Sequence, residues 1–138
     1  MMSGIRAKNT KPEMKIRQGL HRLGFRYTLH EKKLPGKPDM VFPKYRSVLF
    51  INGCFWHGHD CAMFKLPSTR TDFWRAKFAK NAENDVAAWN LLIAMGWRVG
   101  VVWECAIRGK HRLPESEAIQ KIAYWLGSQN ETLTIRGI

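Results

Sequence analysis

Apolar positions along the chain fall into segments whose period changes several times, and each change marks a candidate element. After a polar, basic start, "MMSGIRAKNTKPEMK", Thr10 stands three residues before Glu13 in capping-box spacing. Met14 follows, and Ile16, Leu20 and Leu23 recur at helical spacing on one face until Gly24 supplies a stop. This predicts a first helix preceded by a basic, flexible arm over about residues 1–10. "FRYTL" then alternates Phe25, Tyr27 and Leu29 with Arg26 and Thr28, the period of a half-buried strand. "EKKLPGKPD" is rich in turn residues. Beyond it, "MVF" and "SVLFI" read as two short strands joined tightly through "PKYR", the second apolar throughout and therefore central in a sheet.

A long helix opens at "PSTRTDFW", with Ser68 or Thr71 as its cap, and ends at Gly96 after "LLIAM". "WRVGVVW" reads as another buried strand. Pro114, with Glu115 and Glu117 in the first turn, starts a last helix whose apolar stripe is Ile119, Ile122, Ala123 and Leu126, with Gly127 as its stop. Residues 128–138 are read as a C-terminal tail. The order helix, three strands, helix, strand, helix contains no repeat and no linker. It predicts one α/β domain over residues 1–138, with three layers built around a mixed sheet.

Composition agrees with one domain, since 138 residues at 45% hydrophobic content can bury a single core. Charge adds more. The net charge is +12, and residues 1–46 carry twelve of the 23 basic side chains but only three of the 11 acidic ones. An excess so concentrated repels itself in a compact fold and is most simply a surface that meets a polyanion, nucleic acid first. Arg98 interrupts the longest apolar stretch, and the first residues contain no apolar signal core, so neither a membrane span nor export is expected. A reducing, cytoplasmic setting follows, in which three cysteines point to metal or free thiols rather than disulfides.

The densest chemistry is "NGCFWHGHDC", residues 52–61. Cys54, His59 and Cys61 form C-x4-H-x-C, and Cys105 follows the strand "GVVW". Together they offer the Cys3His donor set of a closed structural zinc site. Cysteines are also common as buried apolar thiols, but "GHDC" is a polar turn and not a core stretch, which favours the metal. His57 remains over, as a fifth ligand, a general base or an exposed imidazole. His21, His30 and His111 receive no role. Asp39 follows the turn "LPGKP" and is either a turn residue, a neutraliser of nearby lysines, or a magnesium ligand. Glu13 is a capping residue first and an active-site helper second. Phe55, Trp56 and Trp74 lie off the core periodicity, where aromatics either pack or enter a base step of bound DNA.

"LPGKPDMVF", "YRSVLFINGCFWHGHDC", "STRTDFW" and "GWRVGVVWECAIRG" together resemble the very-short-patch-repair (Vsr) DNA mismatch endonucleases, from about Ile5 to the last helix. The resemblance implies a restriction-endonuclease-like core of the PD-(D/E)xK type with a structural zinc. It implies nicking of duplex DNA 5′ of the thymine in a T:G mismatch, left when 5-methylcytosine deaminates. It makes Asp39 the magnesium ligand, aided by the backbone carbonyl of Ile51. His57 becomes the histidine near the attacking water, Asp85 its partner and Glu13 an accessory group. Cys54, His59, Cys61 and Cys105 match the zinc ligands, and Phe55, Trp56 and Trp74 the wedge beside the mismatch.

The chain departs from the family's best-known member, which carries Thr and His where Ile51 and Asn52 stand. A backbone contact at Ile51 tolerates the change, whereas Asn52 cannot transfer a proton. The implied setting is a monomer acting on nucleoid DNA in a bacterial cytoplasm, with mismatch-repair proteins as further partners. Two rival readings are a zinc-stapled DNA-binding module without catalysis and a restriction-type nuclease cutting both strands.

Overall fold

The computed structural model describes residues 10–62 and 64–138, so the arm expected before Thr10 lies outside the described residues. The first helix, α1 (Lys11–Arg22), starts where the capping pattern predicts: the Thr10 hydroxyl accepts the Glu13 N–H at 3.3 Å. Ile16 and Leu20 are buried on its inner face, but Leu23, expected beside them, is 49% exposed. Leu23 is the C-cap, where the chain already turns away from the core.

Of the strand expected over "FRYTL", only β1 (Thr28–Leu29) pairs. The alternation is still realised, because Phe25 and Tyr27 lean on Tyr45 and Phe42 of the core while Arg26 and Thr28 face out. β2 (Met40–Phe42) and β3 (Ser47–Asn52) form the expected tight antiparallel pair, turned by Pro43–Tyr45 and a left-handed Arg46. The long helix α2 (Thr71–Ala94) crosses to β4 (Arg98–Trp103), which runs parallel to β3. Neither expected cap serves α2. Arg70 at the cap position is left-handed without a side-chain bond, and the Thr71 hydroxyl donates to the carbonyls of Pro67 and Ser68.

The last helix, α3 (Glu115–Leu126), buries Ile119, Ile122 and Leu126 as expected. The segment read as a tail instead contains β5 (Thr132–Ile135), parallel to β4 at the sheet edge. Thr-Leu-Thr-Ile does alternate and ends on the buried Ile135, but the run is only four residues long and follows the polar stretch "GSQNE", which hides it within a tail. Arg98 helps to hold this corner: its guanidinium donates to the carbonyls of Trp125 and Leu126, which the end of α3 leaves without helical partners, and to that of Asn130 in the turn beyond.

The sheet order is β1-β2-β3-β4-β5. Alternation along β2 and β3 sends Met40, Phe42 and Leu49 into one cluster with Ile16 and Leu20 of α1 and Ile122 and Trp125 of α3. It sends Val41, Val48 and Phe50 to the opposite side, against Leu92 and Trp89 of α2. Helices therefore cover both faces, as the three-layer reading requires. Among the described residues, no helix is long and apolar enough to cross a membrane.

Candidate active site and metal centre

Register decides where the chemistry gathers. β3 and β4 are parallel with Asn52 opposite Trp103, so their C-terminal ends lie side by side. Ligands bind outside such ends, where the chain leaves the sheet and backbone groups and loops are free to converge. Cys54 follows β3 and Cys105 follows β4, and the same register brings them together. β2 is antiparallel to β3 and starts at this end, which places Asp39 beside Ile51.

Cys54, His59, Cys61 and Cys105 form one cluster, with a ligand atom of each within 4.8 Å of the others. His59 Nδ1 lies 3.5 Å from Cys54 Sγ and 3.6 Å from Cys105 Sγ. With usual metal–sulfur and metal–nitrogen lengths, the edge of a tetrahedral site is about 3.6 Å. The sulfurs also accept backbone N–H groups, Cys54 Sγ from Cys105 at 3.3 Å and Cys105 Sγ from Gly137 at 3.3 Å. Such bonds favour thiolates. Burial pushes the Cys54 thiol well above its ordinary pKa and, with Arg136 nearby, pushes His59 down. The donor set could thus hold a metal ion that replaces the thiol proton and takes a neutral imidazole. β5 closes the knot from outside: beyond Gly137, the Arg136 guanidinium donates to the Asp60 carbonyl.

Gly58 separates the two histidines of the loop. Its φ of 60° is left-handed, and the turn it allows sends His59 into the knot while His57 faces a cleft. His57 Nδ1 is 2.5 Å from Asp85 Oδ2 on α2, the partner expected from the sequence. His59 stacks on Trp103 with centroids 4.0 Å apart, and the other side of the loop sets the His57 ring at 6.0 Å from that indole. One indole therefore links the knot to the cleft.

The cleft encloses about 340 Å³ and is lined by Glu13, Asp39, Ile51, Asn52 and His57 among others. Asp39 is 5% exposed, and its Oδ2 accepts the Ile51 N–H at 2.7 Å, so that carboxylate and the strand end expected to share a cation adjoin. Asn52 is 2% exposed, and its Nδ2 has no hydrogen-bond partner among the described residues. Asp85 stands behind His57 and does not line the cleft.

Phe55, Trp56 and Trp74 belong to one half-buried aromatic cluster beside the cleft, with Phe55 at 5.1 Å from Trp56 and 5.7 Å from Trp74. Phe64 and Phe78 complete it. Asn81 Nδ2 donates to the Trp56 carbonyl at 2.7 Å and pins the loop to α2.

Several cleft residues escaped the sequence reading. Lys77 and Asn81 line it, and with Asp85 they recur every four residues on α2, a polar stripe that marks one helix face. Glu104, in the same Trp-Glu-Cys segment as Cys105, accepts from the Cys54 N–H and from Arg108, both next to the cleft. His30, given no role, lies 2.6 Å from Glu13.

A buried acid facing a cleft, an imidazole backed by a carboxylate, and cationic Lys77 and Arg108 at the rim define a hydrolase of phosphodiesters, carried on a mixed α/β sheet. The family description "DNA mismatch endonuclease Vsr" matches residues 1–63. Among curated proteins, "Type II nicking enzyme V.XorIIP" of Xanthomonas oryzae is 50% identical over 78% of this chain and 79% of its own. "DNA mismatch endonuclease Vsr" of Escherichia coli K12 is 38% identical over 97% of this chain and 86% of its own. "Type II nicking enzyme V.NmeAIP" of Neisseria meningitidis is 46% identical over 80% and 79%. The chain belongs to the Vsr family of DNA mismatch endonucleases. That family implies a restriction-endonuclease-like fold, in agreement with the five-stranded mixed sheet.

Proposed function

We propose that this protein nicks one strand of duplex DNA 5′ of the thymine in a T:G mismatch. The observation that carries the reading is the buried carboxylate of Asp39 opening on the same cleft as His57, beside a half-buried cluster of edge-to-face aromatics. Two relatives named as nicking enzymes and one named as a mismatch endonuclease support it.

His57 is the general base. Asp85 takes the Nδ1 proton as a hydrogen bond, which leaves the Nε2 lone pair free to receive a proton from an attacking water. Asp39 and the Ile51 carbonyl would hold a magnesium ion, which supplies charge neutralisation at phosphorus and a more acidic water. Lys77 and Arg108, which line the cleft, attract the phosphate. Cys54, His59, Cys61 and Cys105 would hold zinc as a structural ion, binding the catalytic loop to the ends of β3 and β4.

Phe55, Trp56 and Trp74 enter the base step at the lesion. Unstacking costs a few kcal/mol and less at a mismatch, so deformability contributes to selection before any base edge is read. The enzyme acts as a monomer on DNA of the bacterial cytoplasm, with mismatch-repair proteins as further partners.

The test is a set of strand-labelled duplexes, T:G and fully matched, incubated with magnesium or with EDTA. A magnesium-dependent nick confined to the thymine strand of T:G is expected. Binding without a nick would instead identify a DNA-binding module, and equal cutting of both strands of matched DNA a restriction-type nuclease.

A further inference from the structure

The cleft is flanked by two imidazole–carboxylate pairs of opposite orientation. In one, His57 faces the cleft and Asp85 stands behind it. In the other, Glu13 faces the cleft and His30 stands behind, its Nε2 2.6 Å from Glu13 Oε2, and His30 does not line the cleft. We infer that His30 is a positioning residue of the active site, which fixes the Glu13 carboxylate beside Asp39. The inference rests on the nuclease reading above.

Three observations carry it. First, the ligand atoms of Glu13, His30 and Asp39 all lie within 4.8 Å of one another, so the imidazole is built into the group that borders the proposed cation and is not a distant surface contact. Second, the backbone of His30 is left-handed, with φ of 51°, a conformation that costs a non-glycine residue free energy and persists only where its surroundings impose it. The imposing contact is its N–H, which donates to the Asp39 carbonyl at 3.0 Å. His30 thereby joins the peptide of one cleft carboxylate to the side chain of the other.

Third, the contact to Glu13 is buried and close. The Glu13 side chain is 3% exposed, and its Oε2 meets His30 at 2.6 Å and Arg17 at 3.6 Å. The short bond from His30 is directional, and His30 itself does not line the cleft. A carboxylate held this way keeps its other oxygen in a set orientation, the condition for it to accept from a cation-bound water.

Two substitutions separate positioning from folding. Asparagine tolerates the left-handed backbone, but its amide ends near the place of Nδ1 and cannot reach Glu13. Glutamine reaches about as far as Nε2 and can donate there. With T:G duplex, H30N is expected to lower kcat by on the order of tenfold and to raise the magnesium needed for half-maximal rate similarly, with KM for DNA unchanged. H30Q is expected to stay within about threefold of wild type on the same scale. Manganese titration of the DNA-free proteins, followed by electron paramagnetic resonance, should show the matching loss of affinity in H30N and its recovery in H30Q.

Equal losses in the two variants, a defect confined to KM for DNA, or unchanged manganese affinity in H30N would each overturn the inference. A wild-type protein that fails to nick would sink the nuclease reading alone, since the manganese titration still reports on His30.

Discussion

At the scale of single residues, the site works by pairing. Asp85 selects which ring nitrogen of His57 carries the proton, and D85N would reverse that choice, because an amide can donate to Nδ1 and leave the proton on Nε2. The expected result is a fall in single-turnover nicking of about a hundredfold or more with an unchanged circular dichroism spectrum. A rate near wild type would show that Asp85 does not set the proton position on His57 for the reaction. Cys54 makes a second residue-scale prediction. Its folded thiol is held above its ordinary pKa chiefly by desolvation, so it stays protonated over the neutral range until a metal displaces the proton. Metal uptake therefore releases protons, and affinity must rise with pH. Chelator competition should show affinity at least tenfold higher at pH 8 than at pH 6; a flat profile would mean that Cys54 is not a ligand. The role of Cys54 was legible from the spacing of cysteine and histidine, whereas the pairing of His57 with Asp85 was implied only by the resemblance to the Vsr family. His30 was not legible, because its partner is seventeen positions away and only the fold brings Glu13 to it.

At the scale of elements, helix periodicity was readable and short edge strands were not. α1 and α3 bury most of the stripes that their spacing marks, Leu23 and Ala123 excepted, since a helix carries its own backbone bonds and needs only one apolar face. β1 and β5 take their existence from a neighbour's ladder, so two or four residues of mixed polarity become strands only beside β2 and β4. The α2 cap failed for a local reason, the left-handed turn at Arg70 that points Thr71 back at the preceding carbonyls. Contact between α1 and α3 depends on Gly19, where an added Cβ would lie 2.6 Å from Ile119 Cδ1. Alanine there gains about 1 kcal/mol of helix propensity but overpacks a buried contact at about 1–3 kcal/mol. G19A is thus expected to lower the urea midpoint at constant slope. A raised midpoint would mean that Ile119 yields freely and that the two helices are not in tight contact.

At the scale of the whole molecule, one end of the sheet carries everything that the chemistry requires. The knot ties the loop after β3 to the chain after β4, Trp103 joins the knot to His57, and the aromatics rise from the same loop against α2. The net charge of +12 gives the surface a sequence-independent attraction for phosphates. In the proposed function, choice of site is left to the aromatic cluster and cutting to the cleft. Such division was legible in outline from "NGCFWHGHDC" and the basic N-terminal third, but the cleft rim of Lys77, Asn81, Glu104 and Arg108 required the packing of α2 against the loops. The account stands on Asp39, the buried carboxylate proposed to hold the cation, whose replacement by asparagine is expected to remove that ligand and leave the sheet intact. The most direct measurement is single-turnover nicking of a T:G duplex by D39N at saturating magnesium, with binding of the same duplex recorded in parallel. Undiminished binding with nicking lowered by at least about a thousandfold is predicted. Nicking at the wild-type rate would contradict the account.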